Sequence, residues 1–262
     1  MPTLQQLIID PVSIASFATY ALLLAWETIA PARALPRVAG WHVRGVLSFA
    51  AFFLVASYLP LLVRVAPLFD ATELGIVGGV IALFGYELLV YGYHRALHGS
   101  DLLFRVFHQL HHSAERLDVS GAFWFSPFDM VGFTLVATLA LSVMGMTPGA
   151  ITLFVLITNL LSIFQHANVR TPRWLGYLVQ RPESHAHHHA RGVHRDNYAD
   201  LPVIDMLFGT FVNPADFAPE QGYYLGASAR MRDMLLLRDV TRPPALRASG
   251  AAPRTCADTA RA

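Results

Sequence analysis

Long apolar stretches separated by short polar loops dominate the first two thirds of the chain. Residues 12–30, 46–66 and 74–93 each provide about 20 mostly apolar positions, the length that crosses the hydrocarbon core of a bilayer. Residues 131–144 and Pro148–Phe164 form a hairpin around a Gly-Met-Thr-Pro-Gly turn, and its first arm is short. The pattern predicts an all-α integral membrane protein with four to five transmembrane helices.

The composition supports a membrane protein. Only 14% of the residues are charged and mean hydropathy is +0.44, whereas soluble domains carry about 25% charged residues. A net charge of +1 gives no reason to expect a nucleic-acid partner. The single cysteine, Cys256, cannot form an internal disulfide or a cysteine-based metal site. The N-terminus lacks the features of a removable signal peptide.

The arginines of the short loops predict the orientation. Arg33, Arg37 and Arg44 lie between the first two apolar stretches, whereas the next loop has only Arg64, accompanied by two acids. Because arginine-rich short loops stay in the cytoplasm, the chain after residue 93 and the chain after residue 164 both emerge on the cytoplasmic side. We therefore expect a multi-pass protein, of the bacterial inner membrane, with a helical cytoplasmic cap.

A single membrane-embedded domain over residues 1–240 accounts for these elements, and an Arg/Ala/Pro-rich tail over 241–262 is predicted to be disordered. Residues 173–181 place aromatic and aliphatic residues between two arginines, which is typical of a helix lying on the membrane surface. Residues 123–125, Phe-Trp-Phe, are expected in the headgroup region. Glu27, near the end of the first stretch, is assigned to helix capping or packing.

Eleven of the twelve histidines lie in two windows, 94–112 and 166–194. Residues three and four apart share one face of a helix, so closely spaced imidazoles can point to one place. Imidazole binds iron, zinc, copper and nickel, and eight converging rings are too many for one ion. The spacing therefore predicts a two-metal centre whose eight motif ligands are His94, His98, His108, His111, His112, His185, His188 and His189.

Roles other than a two-metal centre fit the histidines less well. His42 stands alone and is assigned a structural role, while His187 falls between ligand positions. A pH-sensing histidine patch explains clustering but not three repeats of ligand spacing. A catalytic zinc site uses about three protein ligands, and zinc cannot change oxidation state, whereas O2 activation needs iron or copper. A zinc-dependent membrane hydrolase and a non-enzymatic metal-binding or transport protein stay open, although transporters need polar groups near the midplane.

The three motifs, spaced HX3H, HX2HH and HX2HH, resemble the fatty acid hydroxylase superfamily of sterol desaturase type. Glu87, seven residues before His94, stands where relatives often carry an acid. Pro-Glu-Ser leads into His185, Asn197-Tyr198 follows the last motif, and residues 204–211 resemble the family's Trp-Asp-x-x-Phe-Gly-Thr segment. The resemblance covers a histidine-motif core over roughly residues 80–212.

The resemblance implies that the eight motif histidines bind iron and that His166, nineteen residues before His185, is a further ligand. Some relatives add a histidine where this chain has Arg170, so His194 or a water is expected to complete that corner. Ser126 stands where many bacterial relatives have histidine, and it is assigned no catalytic role. Side chains expected to hold the outer ring nitrogens are Glu87, Asn197 and His194, with Glu115, Asp118, Glu183 and Asp196 as further candidates.

The activity that the resemblance implies is oxidation of a lipid C–H bond, by hydroxylation or desaturation, at two iron ions with O2 as co-substrate. The lipid, a sterol, fatty acyl or related molecule, enters from the bilayer. The chain has no dinucleotide fingerprint, haem-attachment motif or iron–sulfur cysteines. Electrons are therefore expected from a ferredoxin- or cytochrome-type donor with its reductase. A divergent member without activity is the remaining alternative, because of Arg170 and Ser126.

Overall fold

The computed structural model describes residues 1–63 and 65–244. Arg64, Cys256 and residues 245–262 of the predicted tail lie outside the described residues. The described chain is mostly helical. Its α-helices are α1 (Leu4–Ile8), α2 (Pro11–Ile29), α3 (Trp41–Leu62), α4 (Ile76–His98), α5 (Asp101–Leu103), α6 (Gln109–His112), α7 (Pro127–Val143), α8 (Pro148–Phe164), α9 (Pro182–His188), α10 (Pro202–Phe208) and α11 (Met231–Leu235).

Three helices, α2, α3 and α4, are long and apolar enough to cross a membrane, with 19, 22 and 23 residues. The predicted hairpin is also present as α7 and α8, but each arm has 17 residues. Such a helix is about 25 Å long, less than the roughly 30 Å of a hydrocarbon core. Length and composition thus support three spans within the described residues, and a fourth and a fifth stay a prediction.

Several helices begin or end a few residues away from the predicted apolar stretches, and two of these boundaries have a clear local reason. α3 begins at Trp41 instead of residue 46, because Gly40, with a φ of 66°, turns the chain into the helix. α4 continues past the apolar stretch to His98, as the helical spacing of His94 and His98 predicts, because the Arg-Ala-Leu segment within the motif favours helix and the cap comes only at Gly99. This extension places the first histidine motif on a membrane helix.

The five apolar helices pack in the spatial order α3, α7, α4, α8 and α2. Phe17 and Tyr20 of α2 also contact Phe49 of α3, and the rings of Tyr20 and Phe49 stack with centroids 4.5 Å apart. α3 approaches the cap closely at Gly45, where a Cβ would lie 2.1 Å from the carbonyl oxygen of Ser120. Small residues allow this kind of close approach between backbones. The bundle thereby sets where the ends of the helices lie.

A two-stranded parallel ribbon marks one end of the bundle. Its strands are β1 (Phe69–Asp70), which precedes α4, and β2 (Met144–Gly145), which connects α7 to α8. α4 and α8 run from the ribbon towards the opposite end, where the histidine motifs lie. There the side chain of Asn168, after α8, donates to the carbonyl oxygen of Arg33 at 2.8 Å. The prediction that both histidine windows meet at one end is confirmed. The cytoplasmic assignment of that end stays a prediction.

The Phe-Trp-Phe segment lies inside the protein, so its expected position among lipid headgroups is wrong. Phe123 and Trp124 are 4% and 3% exposed. The ring of Phe123 stacks on Phe52 of α3 at 4.7 Å, and Trp124 packs against Trp41 at 5.6 Å. Aromatic partners from α3 thus bury a segment whose composition alone resembles that of an interfacial one.

Residues 173–181 match the predicted surface helix only in part. The helical portion is a 3-10 helix over Arg173–Tyr177, in which Trp174 and Tyr177 are 63% and 54% exposed. The second arginine of the segment, Arg181, is buried and its guanidinium pairs with Glu183 at 3.0 Å. Only the aromatic turn therefore faces outward, and the arginine anchors the segment inside the cap.

Candidate metal centre

The first two histidine motifs lie on consecutive helices. His94 and His98 are one turn apart at the end of α4. His108 ends a five-residue π-helical turn that leads directly into α6, where His111 and His112 lie. π turns are rare and occur frequently at functional sites. The wider turn changes the directions in which the following side chains point.

The third motif and His166 approach from other segments. His185 and His188 lie on α9, and His189 follows directly. His166 comes just after α8, and its Nδ1 donates to the carbonyl oxygen of Ser162, one turn earlier, at 2.7 Å. Four separate parts of the chain thus deliver imidazoles to the same end of the bundle.

The rings converge in two groups, in each of which one ring nitrogen per residue lies within 4.8 Å of all the others. A metal–imidazole bond is about 2.0–2.1 Å, so nitrogens on opposite sides of one ion are about 4 Å apart. Each group therefore has the size of one coordination shell. The first group is His94, His98, His108, His112 and His188. The second group is His111, His166, His185 and His189.

The two groups are adjacent, and the consecutive histidines of each HX2HH motif divide between them. His108 and His112, which are four residues apart, belong to the first group. His111 belongs to the second group, because neighbouring positions on a helix face different directions. The rings of His112 and His189, one from each group, stack with centroids 4.2 Å apart and planes at 13°. The motif spacing thus creates two neighbouring sites rather than one large one.

Backbone oxygens hold several of the rings at Nδ1. His94 donates to the carbonyl oxygen of Tyr198 at 2.9 Å, and His188 to that of Asp196 at 2.6 Å, as His166 does to its own helix. A carbonyl oxygen only accepts, so Nδ1 carries the hydrogen in these rings. Nε2 then keeps its lone pair for a metal ion.

Asp129, a residue to which the sequence pattern assigned no role, holds Nδ1 of His108 in the same way. Its Oδ2 accepts from Nδ1 of His108 at 2.7 Å, and neither side chain is more than 1% exposed. Asp129 lies in the first turn of α7, where Ser126 Oγ accepts from its N–H at 3.1 Å. An acid after Ser-Pro is common at the start of a helix. Nothing in that local pattern indicates a partner 21 residues away.

The unpaired ring nitrogens fit a pair of cations. Nε2 of His94 and Nε2 of His108 are 2.9 Å apart, and because both rings donate through Nδ1, two lone pairs face each other. Nε2 of His112 is buried without a hydrogen-bond partner among the described residues. In the second group, Nε2 of His185 lies 3.0 Å from that of His166. The facing lone pairs of His94 and His108 repel each other unless a positive ion lies between them, so the donor set fits metal binding.

A cavity of about 70 Å³ lies against both groups. Its histidine side includes His94 and His108 from the first group and His111, His166 and His185 from the second. Facing them is an aromatic side, to which α3 and α7 contribute, formed by Phe52, Phe123, Phe125 and Phe133. Four polar residues, Ser162, Gln165, Asn197 and Asp200, complete the lining, so the cavity joins an aromatic wall to the histidines of both groups.

The model of the fatty acid hydroxylase family matches residues 79–210, which are 132 of the 262 residues of the chain. The match runs from within α4 to just past α10 and includes every histidine of the two groups. The chain belongs to the fatty acid hydroxylase family. Membership makes the protein an oxidoreductase of a typically iron-dependent, membrane-associated family. No solved structure matches the chain.

Burial lowers the pKa of most of the clustered histidines and so favours their uncharged form. Desolvation lowers the pKa of His166 to about 4 and that of His194 also to about 4. Desolvation and neighbouring histidines hold other pKa values well below 6.5. Neutral imidazole is the form that binds metal ions, so these rings are ready to bind at neutral pH. The residues with the larger lowering are His108, His111, His112, His185, His188 and His189.

Most of the acidic and amide side chains that were expected to bond to the outer ring nitrogens form hydrogen bonds with backbone groups instead. Glu87 accepts from the N–H groups of Asp200 and Leu201 at 2.9 and 3.0 Å, and Asn197 donates to two carbonyl oxygens at 2.9 and 2.8 Å. They thereby shape the loop that presents the Tyr198 carbonyl to the first group. Within the described chain, three further candidates also bond to groups other than the rings: Glu115, Asp118 and Glu183.

The structure corrects the expectation that His194 completes the corner near Arg170. Nδ1 of His194 lies 2.9 Å from Nδ1 of His112, so His194 borders the five-histidine group. Arg170 lies at the surface with 60% of its side chain exposed and pairs with Asp216. Neither residue therefore adds a ligand to the four-histidine group, and the two groups differ in their number of rings.

Three residues that were assigned no ligand role from the sequence lie outside both groups. Nδ1 of His42 is 2.7 Å from the hydroxyl of Ser120. His187 faces Asp196, with Nε2 3.1 Å from its carboxylate, and 27% of its side chain is exposed. Ser126 caps α7. His42 thus makes the structural contact expected of it, and the contacts of His187 and Ser126 are structural as well.

Proposed function

We propose that this protein is an O2-dependent di-iron oxidoreductase that hydroxylates or desaturates a C–H bond of a membrane lipid, a sterol, fatty acyl or related molecule. The observation that carries the proposal is the placement of two adjacent, buried histidine groups against one aromatic-walled cavity in a member of the fatty acid hydroxylase family. The nine histidines of the groups are the proposed iron ligands.

The residues of the chain hold the ligands and shape the space for the substrate. Bound iron would supply O2-dependent oxidation of an unactivated C–H bond. The carbonyl of Tyr198 and the carboxylate of Asp129 keep His94 and His108 in the tautomer that offers Nε2. The phenylalanine rings exclude water and contact the alkyl or ring carbons of the lipid. Rings held in advance need little reorganisation when the ions bind.

Iron is favoured over zinc by what surrounds the cavity. A zinc hydrolase needs a general base that can reach a metal-bound water. Asp200 is the carboxylate among the described residues that line the cavity, and its two oxygens accept from Gln165 at 2.7 Å and Ser162 at 3.1 Å. These two hydrogen bonds fix its carboxylate to the end of α8, so we assign Asp200 a positioning role. The aromatic side likewise suits a C–H bond better than a polar ester or amide.

The cavity also supports entry of the lipid from the bilayer. Phe52 lies on α3, Tyr86 and Val90 lie on α4, and Phe133 lies on α7, so three apolar helices contribute to its lining. We propose that an alkyl chain or sterol enters the cavity between these helices. We place the histidine end on the cytoplasmic side of a bacterial inner membrane, because Arg33, the first arginine of its arginine-rich loop, is also at that end.

The reaction requires an external electron source. Hydroxylation by O2 puts one oxygen atom into the product and the other into water, which consumes two electrons and two protons. The chain has no fingerprint for a nicotinamide or flavin cofactor. We propose a ferredoxin- or cytochrome-type donor with its reductase, and we expect no turnover when the purified protein receives NAD(P)H alone.

The first experiment is anaerobic reconstitution of detergent-purified protein with iron-57, followed by metal analysis and Mössbauer spectroscopy. Two irons per chain with a coupled-pair spectrum are expected. His188→Ala should lose iron from the first group, because Nε2 of this ring points to the group while its Nδ1 is held. His187→Ala is the matched control, since His187 lies in the same motif but faces Asp196. It should keep both irons.

Two results would contradict the proposal. Full iron content in His188→Ala would show that the first group is not an iron site. A wild-type protein that takes up zinc but no iron after anaerobic reconstitution would favour a hydrolase or a metal-binding protein. With two irons bound, O2 consumption in the presence of lipid and an added reductase–donor pair then tests the oxidation itself.

A further inference from the structure

An apolar surface on the cap is left uncovered by the described residues. Two neighbouring elements form it, the 3-10 helix Arg173–Tyr177 and α10. Val203, Met206 and Leu207 of α10 are exposed and are spaced as one face of a helix. Exposed apolar patches of several side chains mark contacts with a protein or a membrane. We call this surface the apolar ridge, and its members are Trp174, Tyr177, Val203, Met206, Leu207 and Phe208.

α10 turns its apolar residues outward and its charge inward. Its sequence is Pro-Val-Ile-Asp-Met-Leu-Phe, and the one charged residue in it, Asp205, is fully buried. The two carboxylate oxygens of Asp205 accept from the N–H groups of Tyr198 and Ala199 at 2.8 and 3.0 Å. A helix at a water-facing surface has the reverse arrangement, with polar residues outside and apolar residues inside. The exposed face of α10 therefore fits apolar surroundings.

The apolar ridge continues the outer face of α4, a candidate membrane span. Phe84 and Leu88 are exposed on that face, and the ring of Phe208 covers Tyr91, the next residue of the face, by stacking on it at 4.7 Å. Arg95, one turn beyond Tyr91, is exposed and donates to the hydroxyl of Tyr91 at 2.8 Å. Arginines at the end of a span reach the headgroup level. Phe208 thus lies between side chains that face lipid and the level of the headgroups.

The loop that leads into α10 also lies at membrane depth. Glu87, which accepts from the N–H groups of Asp200 and Leu201, is eleven residues beyond the first residue of α4. This position is roughly 17 Å along the helix, within the roughly 30 Å of a hydrocarbon core. Together, Glu87 and Asp205 satisfy four consecutive N–H groups, those of residues 198–201. Backbone away from water needs such partners within the protein.

We propose that the apolar ridge is seated in the bilayer, in the leaflet on the histidine side. Leu207 and Phe208 contact acyl chains, and Trp174 and Tyr177 lie at the headgroup level, which tryptophan and tyrosine favour. The partner is the lipid surface and not another protein, because the ridge continues a lipid-facing helix face. In addition, segments 172–178 and 201–209 expose no acid, and Arg173 is the exposed charge among them.

A seated ridge also fixes where the histidine cavity lies relative to the membrane. Tyr198 and Asp200 line that cavity and belong to the loop directly before α10. With α10 in lipid, this wall of the cavity lies at the bilayer surface and not in the aqueous phase. The cap is then partly embedded instead of standing above the membrane. This inference concerns the position of the cap alone, so it holds whether or not the proposed oxidation is correct.

The test places a nitroxide spin label on the full chain in phospholipid nanodiscs. Cys256→Ser removes the single native thiol, and one cysteine is introduced as Leu207→Cys, Leu88→Cys or Leu225→Cys. Electron paramagnetic resonance compares collisions of the label with O2, which dissolves among acyl chains, and with a nickel chelate, which stays in water. The O2-to-nickel ratio at Leu207 should match that at Leu88 of α4. Leu225 is the matched control, since both cap leucines are 71% exposed but Leu225 lies beside the arginine-rich segment 33–36. Its ratio should be severalfold lower.

A second measurement needs no label and decides if a cysteine variant fails to fold. Lipids brominated on their acyl chains should quench the fluorescence of Trp174, whereas Trp41 and Trp124 are buried. Comparison with Trp174→Phe separates this signal from that of Trp26, which is also exposed, and the variant should lose part of the quenching. Three results would overturn the proposal: a ratio at Leu207 as low as at Leu225, spin–spin broadening at Leu207 from a second copy of the chain, or unchanged quenching in Trp174→Phe.

Discussion

The hydrogen bond between Asp129 and His108 allows a direct test of how the chain prepares its ligands. The carboxylate accepts from Nδ1 at 2.7 Å, both side chains are almost fully buried, and Nε2 of His108 faces the first group. Replacing Asp129 by Asn keeps an oxygen that can accept but removes the charge. Replacing it by Ala removes the acceptor as well, so the ring can rotate or change its tautomer.

The expected loss can be estimated in two ways that agree. Removing a partner of a metal-bound histidine typically weakens metal binding about 10- to 100-fold, or roughly 1.4–2.8 kcal/mol. A hydrogen bond to a charged group contributes about 1.5–3 kcal/mol. We therefore expect Asp129→Asn to weaken iron binding in the first group about tenfold and Asp129→Ala about 100-fold. The iron in the second group should be little affected, because its ligands do not contact Asp129.

The assay is anaerobic competition for ferrous iron between the protein and a chelator, with Mössbauer spectra to distinguish the two irons. Ser126→Ala is the control, since it removes the hydroxyl that caps α7 beside Asp129 but leaves the bond to His108. It should lower the free energy of unfolding by about 1 kcal/mol and leave iron affinity unchanged. Wild-type affinity in Asp129→Ala, or an equal loss in Ser126→Ala, would refute the proposed role of the carboxylate.

Three further predictions concern stability. The buried Oε2 of Glu27 accepts hydrogen bonds from two backbone N–H groups. Glu27→Ala should lower the free energy of unfolding by about 1–3 kcal/mol for each N–H group that loses its acceptor. Denaturant unfolding measures the loss, and Glu27→Gln, which keeps an acceptor, should lose less. Gly45→Ala should cost about 1–3 kcal/mol through overpacking, whereas Gly85→Ala, where a Cβ meets nothing within 4 Å, should be neutral in a thermal-shift assay; equal effects would argue against the close approach. Iron-free protein should become less stable as pH falls from about 6.5 towards 4, because the pKa of His166 is lowered to about 4 in the folded state, so the unfolded chain binds more protons in this range. A urea midpoint that is the same at pH 7.5 and pH 5 would contradict this sign.

The histidine spacing was informative because it is a local property of helices. Residues three and four apart share a face, so the three motifs indicated convergence without any knowledge of the fold. The same spacing explains why His111 and His112 serve different groups. His166 was different: it lies apart from the motifs, and only the resemblance to relatives indicated its role.

The partners of the rings could not be predicted in the same way. Asp129 has the sequence signature of a helix start, and Glu87 that of an acid beside a metal site. The structure reverses these expectations, since Asp129 contacts His108 while Glu87 holds two backbone N–H groups. Burial of Phe123 also depended on Phe52, a residue of another helix. Contacts between distant segments leave no periodic signal in either segment.

The sequence by itself determined the membrane character, the helical class and the set of histidines, because hydropathy and helical periodicity depend on residues that are near one another along the chain. The tertiary structure alone decided how nine rings divide into two groups, which oxygens hold their outer nitrogens and which aromatic side chains line the cavity. It also stacked Phe208 of α10 on Tyr91 of α4. These features depend on the packing order of the helices, which brings together residues that are far apart in sequence.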